Sequence, residues 1–161
     1  MPLSPSINSR LLHQHETIRE LIKGFSEEQL KQKVIPDKWS IYEQIAHLSA
    51  YQPVFLQRVR KMGQEQGLSF ERYVADNDPA FHESYKKTLK ELLDDIDTQR
   101  FLIINHLTGL PEQTLRCTGR HLKFGLLTIV EWAEFFLLHE AHHLFSIFML
   151  TAELKESKQK F

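Results

Sequence analysis

The stretch KWSIYEQIAHL, residues 38–48, contains the clearest helix start in the chain. Ser40 and Glu43 form the S-x-x-E pattern of a capping box, in which each side chain satisfies the other's backbone amide. Apolar residues then recur at helical spacing, at Ile41, Ile45, Leu48 and Phe55. The pattern predicts a long amphipathic helix that Pro53 kinks rather than ends.

The remainder of the chain shows the same helical period, and we find no convincing strand alternation in it. Further helices are predicted from about residue 6 to 23, from Ser26, from Asp78-Pro79 to about 107, and from Thr128 to about 154. Residues 64–78 and 111–127 are predicted to be loops with short turns. Four long helices predict an all-α antiparallel four-helix bundle with short extra helices. We expect one domain over residues 1–161, with its core at about 8–152.

Composition places the chain among ordinary globular proteins and excludes several functional classes. Of 161 residues, 42% are hydrophobic and 25% charged, and the net charge is -1. This charge offers no basic footprint for nucleic acid. The single Cys117 cannot form an internal disulfide, the first residues resemble no signal peptide, and the longest apolar runs are interrupted by Glu or His. We therefore expect a cytoplasmic protein without nucleic-acid or membrane partners.

Residues 138–144, LHEAHHL, contain three histidines inside an apolar helical run. His139 and His143 lie one turn apart and share a helix face, whereas His142 lies about 100° round from His143. Imidazole nitrogens at this spacing suit zinc, nickel or iron(II). Two ligands do not hold a metal firmly, so a third is expected.

The third ligand must come from elsewhere in the chain. The candidates are His13, His15, His47, His82, His106 and His121. His47 stands out because it lies in the helix that Ser40 begins, flanked by Ala46 and Leu48, at the edge of the apolar stripe. It can therefore point into the bundle centre while that stripe packs.

Two stretches together resemble the DinB-like family, also called the YfiT-like metal-dependent hydrolases. KWSIYEQIAHL matches the family's W-S-x-x-E-x-x-x-H signature, and LTIVEWAEFFLLHEAHHL, residues 127–144, carries its H-x-x-x-H pair. The resemblance covers roughly residues 8–152. It implies a four-helix bundle with a long crossover, and a zinc or nickel ion held by one histidine of the second helix and two of the last. Those positions are His47, His139 and His143.

The resemblance also implies a range of activities. Family members include bacillithiol and glutathione S-transferase-like enzymes and a maleylpyruvate isomerase branch, and dimers are common. Three neutral imidazoles leave a metal with at least one open position, as in catalytic sites. We therefore expect a divalent-metal-dependent enzyme and a homodimer. Its substrate would be a small molecule, including a low-molecular-weight thiol, with thiol transfer ahead of hydrolysis. No general base is predicted.

Two other metal patterns are less well supported. His139, Glu140 and His143 satisfy the H-E-x-x-H pattern of zinc proteases, but the chain offers no obvious strand to bind a peptide. Glu140 is therefore expected to lie on the rim of the site or to contact a neighbouring helix, as a carboxylate that is solvated or supports the site from behind. A di-metal bundle needs Glu-x-x-His on two helices. The second copy is missing because residue 46 is alanine.

A non-catalytic function is the remaining alternative. The bundle would then be a metal-binding or dimerisation module of a stress-related protein. Ser146 stands where the family often has glutamine, within the apolar segment LFSIFML. An enzyme should show a cleft open at the three histidines, whereas a binding module could have it plugged. Glu43 is expected to cap its helix or to orient His47. Four aromatic residues are expected to pack in the core, with pocket lining as the second interpretation: Trp39, Trp132, Phe135 and Phe136.

Overall fold

The computed structural model describes residues 3–159, with side chains from residue 3 to residue 156. Within these residues there are eight α-helices, two single turns of 3-10 helix and three strands. The helices are α1 (Pro5–His13), α2 (Thr17–Ile22), α3 (Glu27–Leu30), α4 (Ile41–Gln64), α5 (Pro79–Tyr85), α6 (Leu89–Gly109), α7 (Glu112–Leu115) and α8 (Ile129–Gln159). The strands are β1 (Leu68–Phe70), β2 (Thr118–His121) and β3 (Gly125–Thr128), and the 3-10 turns are Gln14–Glu16 and Ala75–Asn77.

The long helices form the four-helix bundle that the sequence predicts. The α1–α2 segment, α4, α6 and α8 are its four members: α4 packs against α6 and α8, and α1 and α2 pack against α8. The apolar core runs through two adjoining clusters, one around Ile45 and Ile96 and the other around Phe55 and Trp132. The pairing of α4 with α8 matters most for function, because these two helices carry the candidate ligands.

Helices α4 and α8 each begin at a capping box. The Ser40 hydroxyl accepts from the Glu43 backbone N–H at 3.2 Å, and the Glu43 carboxylate accepts from the Ser40 N–H at 2.7 Å. Thr128 and Glu131 repeat the arrangement at 3.2 and 2.7 Å before α8. Helix α4 continues through Pro53, as expected. Local sequence therefore determines where the two site-bearing helices begin.

Two predicted helices are divided in the structure. The 3-10 turn Gln14–Glu16 separates α1 from α2. The helix predicted from Asp78 also breaks, because Thr88 and Glu91 form a further capping box that begins α6. At this break the Tyr42 hydroxyl donates to the Lys87 carbonyl, which supplies the hydrogen bond that a continuous helix would have made. The predicted N-cap at Asp78 and first-turn Pro79 are both confirmed for α5.

The absence of strands was a wrong prediction. Strand β1 pairs in parallel with β2, and β2 pairs antiparallel with β3. Each strand has only three or four residues, too few for an alternating pattern to be visible, and β1 and β2 come from distant segments. Gly119 permits close packing here, since a Cβ would lie 2.8 Å from the Phe70 ring. The Trp132 indole donates to the Gly119 carbonyl at 3.2 Å, which anchors the sheet to α8.

One helix among the described residues is long and apolar enough to cross a membrane by length and composition alone. It is the Ile129–Glu156 part of α8, with a mean hydropathy of 1.2 over the most apolar window, 44% of which is buried inside the structure. Core helices of soluble bundles pass the same test, and α8 contributes Trp132, Leu137 and Ile147 to the core. The lack of a membrane partner stays a prediction.

Candidate metal centre

The three predicted ligands meet between α4 and α8. The Nε2 atom of His47, on α4, lies 3.1 Å from the Nε2 atom of His139, which in turn lies 3.1 Å from that of His143. All three nitrogen atoms lie within 4.8 Å of one another, and this is the one such group of His, Cys, Asp or Glu found in residues 3–156. Packing of α4 on α8 therefore brings together residues that are 92 positions apart in the chain.

The spacing of the nitrogen atoms fits a divalent metal. Zinc–nitrogen bonds of about 2.0–2.1 Å place the nitrogens of a tetrahedral site roughly 3.3 Å apart. The observed separations of 3.1 Å are close to this value. Three imidazole nitrogens that face one another cannot all be satisfied by hydrogen bonds among themselves, since each neutral ring carries only one N–H. A metal cation that binds all three lone pairs removes this conflict.

Gln44 determines the orientation of His143. The His143 Nδ1–H donates to the Gln44 side-chain oxygen, with 2.5 Å between the heavy atoms. The hydrogen therefore resides on Nδ1, and the lone pair is on Nε2, toward the other histidines. Sequence reasoning did not identify Gln44. The available signal was its position one turn before His47, on the same face of α4.

Burial keeps all three rings neutral. It lowers the pKa of His47 to about 3 and that of His139 to about 4, with the charge of a neighbouring histidine as a smaller cause. Burial and then the charges of the neighbouring histidines lower the pKa of His143 to about 2. The Nδ1 atoms of His47 and His139 have no hydrogen-bond partner among the described residues. At neutral pH the cluster therefore presents lone pairs, as metal ligation requires.

Aromatic rings surround the histidines. The Trp39 ring centroid lies 5.1 Å from that of His47, and the Tyr51 centroid lies 4.7 Å from that of His139. Tyr73 lies 5.6 Å from His47, and its hydroxyl donates to Asp78 at 2.7 Å. Burial raises the pKa values of both tyrosines, so both hydroxyls stay protonated at neutral pH. These rings exclude water from the sides of the cluster.

A cavity of about 620 Å³ reaches the cluster from the surface. All three histidines line it, together with Trp39, Tyr51 and Phe135, and the lining also includes residues 70–76 and the β2–β3 turn. Trp39 and Phe135, expected first as core residues, are thus also cavity residues, whereas Trp132 and Phe136 are buried in the core. The open cleft is the feature expected of an enzyme rather than of a plugged binding module.

The other histidines lie outside the cluster. His13 and His82 are exposed, His106 is half-buried, and His15 is buried against Asp97, with 3.6 Å between Nε2 and the carboxylate. His121, predicted in a loop, lies at the end of β2 and lines the cavity. His142 is exposed on α8 beside the cluster.

Glu140 does not serve the cluster as a base. Its side chain is buried, pairs with the Arg100 guanidinium and accepts from the Gln14 amide at 2.8 Å. Of the two expectations for Glu140, contact with a neighbouring helix is confirmed and solvation is wrong, because Arg100 of α6 and Gln14 of the 3-10 turn both bond to its carboxylate. Glu43 is occupied by its cap and by Lys33 at 3.3 Å, so its carboxylate does not orient His47.

Two solved structures are similar to this chain. The solved structure of YfiT from Bacillus subtilis, described as a probable metal-dependent hydrolase with an unusual four-helix bundle topology, superposes with a TM-score of 0.80 at 14% identity. The match covers 93% of this chain and 86% of YfiT. TT2238, a four-helix bundle protein, superposes with a TM-score of 0.65 at 18% identity, over 88% of this chain and 95% of TT2238.

The two structural matches show a shared fold, and the family is identified from the sequence. No curated protein matches the chain. The sequence profile of the DinB superfamily, however, matches residues 10–147, which include α4, the sheet and the histidine pair of α8. The chain belongs to the DinB superfamily.

Proposed function

We propose that this protein is a divalent-metal-dependent enzyme acting on a small molecule, with transfer of a low-molecular-weight thiol ahead of hydrolysis. The observation that carries the proposal is the convergence of three neutral imidazole Nε2 atoms, from His47, His139 and His143, at the inner end of an open cavity. Zinc and nickel are the metals that this set of nitrogen ligands favours.

Three neutral ligands leave the charge of a divalent ion unneutralised. When bound, such an ion supplies a Lewis acid that lowers the pKa of a coordinated thiol or water. The protein's own residues hold the ligands in place: Gln44 orients His143, and the packing of α4 on α8 sets the nitrogen separations. Trp39 and Tyr51 limit the access of water to the cluster.

Thiol transfer ranks first because no carboxylate in residues 3–156 belongs to the histidine cluster itself. No carboxylate of the described residues joins the cluster, and Asp78, the acid bonded to Tyr73, also caps α5. A thiol whose pKa is lowered by a metal needs no separate base, whereas hydrolysis usually gains from one. Hydrolysis is the second candidate because the structurally similar YfiT is described as a probable metal-dependent hydrolase.

We also propose a homodimer formed through α8. The outer face of this helix exposes large apolar side chains, namely Leu138, Phe145, Phe148 and Met149. A stripe of this kind is typical of surfaces that another chain covers. Light scattering should give twice the monomer mass for the wild type and the monomer mass for Phe145→Glu. A monomeric wild type at micromolar concentration would contradict the dimer and leave the metal site unaffected.

Metal analysis tests the proposed function directly. Purified wild-type protein should contain one zinc or nickel per chain after incubation with the ion and desalting. His139→Ala should abolish this stoichiometry, whereas His142→Ala, at the adjacent exposed histidine, should retain it. Metal content unchanged by His139→Ala would refute the assignment. The loaded protein should then accelerate addition of a low-molecular-weight thiol to a generic electrophile, and His139→Ala should not.

A further inference from the structure

We propose that Arg58 and His121 form a carboxylate-binding subsite on the cavity wall, so that the substrate of the proposed enzyme is a small carboxylate. The inference rests on the proposed function, since it deepens the description of the same cavity. Both residues line that cavity, yet neither belongs to the histidine cluster.

Arg58 is a cation without a charged partner. Its guanidinium lies over the rings of Phe70 and Trp132, 5.6 and 5.7 Å from their centroids. One nitrogen donates to the Glu71 backbone carbonyl at 2.6 Å, which holds the group in place. No carboxylate of residues 3–156 lies within ion-pair distance of it. The half-buried guanidinium therefore retains N–H donors for an anion.

His121 offers a donor beside this cation. Its Nδ1 accepts from the backbone N–H groups of Lys123 and Phe124, at 3.2 and 3.3 Å. The ring hydrogen of the neutral form therefore resides on Nε2, and no described residue accepts from it. Burial, followed by the charges of Arg58 and Lys123, lowers the pKa of His121 and favours this neutral form.

Arg58 and His121 both lie against the indole ring of Trp132. The His121 ring centroid lies 5.5 Å from that of the indole over which Arg58 also lies. A forked guanidinium and a single N–H donor that lie against the same ring and line the same cavity can together bind the two oxygens of a carboxylate. Three cationic side chains and two carboxylates line the cavity, namely Arg58, Arg72, Lys123, Glu71 and Asp76. The excess of one positive charge among these side chains favours an anion over a neutral molecule.

The subsite lies within reach of the histidine cluster. The Phe135 ring centroid is 4.9 Å from that of His121 and 6.5 Å from that of His139. A single aromatic ring therefore separates the anion donors from the reactive end of the cavity. A flexible substrate can place its carboxylate at Arg58 and its reacting group at the cluster.

A pair of probes that differ in charge tests the subsite. Mercaptohexanoate and the neutral mercaptohexanol are titrated into zinc-loaded protein at constant ionic strength by calorimetry. The wild type should bind the acid at least tenfold more tightly than the alcohol. In Arg58→Gln this ratio should fall to about one, in Arg58→Lys it should be intermediate, and in Arg60→Gln, at an exposed arginine on the same helix, it should be unchanged.

Zinc stoichiometry separates this inference from the proposed function. Arg58→Gln should still bind one zinc, so an unchanged acid-to-alcohol ratio in zinc-loaded Arg58→Gln and Arg58→Lys overturns the subsite alone. If the wild type binds no zinc, the proposed function fails. Hexanoate and, separately, hexanol are then titrated into metal-free protein, and binding is followed by NMR. Shifts at His121 with hexanoate alone, lost in Arg58→Gln, support the subsite, and equal shifts with both probes overturn it.

Discussion

Two buried polar clusters sit on adjacent residues of α8 and differ in how fully their polar atoms are paired. His139 belongs to the cluster that lines the cavity, and Glu140 belongs to a network with Arg100, Gln14 and Gln52. In the network Arg100 also donates to the Leu11 carbonyl, so the charged atoms are all partnered. In the cluster two Nδ1 atoms lack partners and three Nε2 atoms face one another. Full pairing indicates a structural role, and incomplete pairing beside a cavity indicates a binding site.

The largest effect is expected from a substitution that breaks the network of Glu140 and Arg100. Glu140→Ala should lower the free energy of unfolding by about 3–5 kcal/mol, because it leaves the Arg100 guanidinium buried without a counter-charge. Urea denaturation of metal-free protein measures this loss.

Two variants sharpen the interpretation. Glu134, on the same helix as Glu140, forms a partly exposed ion pair with Arg10 of α1. Glu134→Ala should lower the free energy of unfolding by no more than about 1 kcal/mol. The double variant Arg100→Met, Glu140→Leu should recover most of the stability, because it removes both buried charges. A loss below about 1 kcal/mol for Glu140→Ala would contradict the structural role of the network.

A smaller effect is expected where a side chain supports a ligand of the open cluster. Gln44→Ala should weaken zinc binding by about 10–100-fold, because the His143 ring loses the acceptor that orients it. Competition with a chromophoric chelator measures the dissociation constant. Gln57→Ala, at an exposed glutamine of the same helix, should bind zinc as the wild type does. Equal affinities for the two variants would show that Gln44 does not support the site.

The effect that is smallest for one ring and one pH unit is the response of the open cluster to acid. Well above pH 6.5 its histidines are neutral in both the folded and the unfolded chain, and protonation does not affect stability. As the pH falls from 6.5 toward about 4, the unfolded chain gains protons that burial denies to His47 and His139. Metal-free protein should therefore lose stability, by up to about 1.4 kcal/mol per pH unit for each such histidine.

Substitution separates the contribution of one ring. His47→Phe, which cannot be protonated, should show a shallower loss of unfolding free energy between pH 6.5 and 4 than the wild type. His142→Ala should keep the wild-type slope, because this ring is exposed. Urea denaturation at a series of pH values gives both slopes. An identical slope in His47→Phe would show that His47 is protonated as readily in the folded state as in the unfolded chain.

The sequence predicted the helices better than the connections. Capping boxes at Ser40 and Thr128 are local signals, and both helices begin where these signals place them. The break before α6 was missed, although Thr88 and Glu91 carry the same local T-x-x-E pattern as Thr128 and Glu131. The sheet was missed because β1 pairs with β2 across a long stretch of chain, and such short strands leave no periodic signal.

The sequence by itself determined the four-helix bundle and the histidines worth considering, because helical period and capping are properties of neighbouring residues. The H-x-x-x-H pair needs only one helix turn to be predicted. The tertiary structure decided that Gln44, rather than Glu43, supports a ligand, that Glu140 faces Arg100, and that Arg58 and His121 share one wall of the cavity. These outcomes depend on which helix faces cover one another, and that is determined by packing among residues distant in the chain.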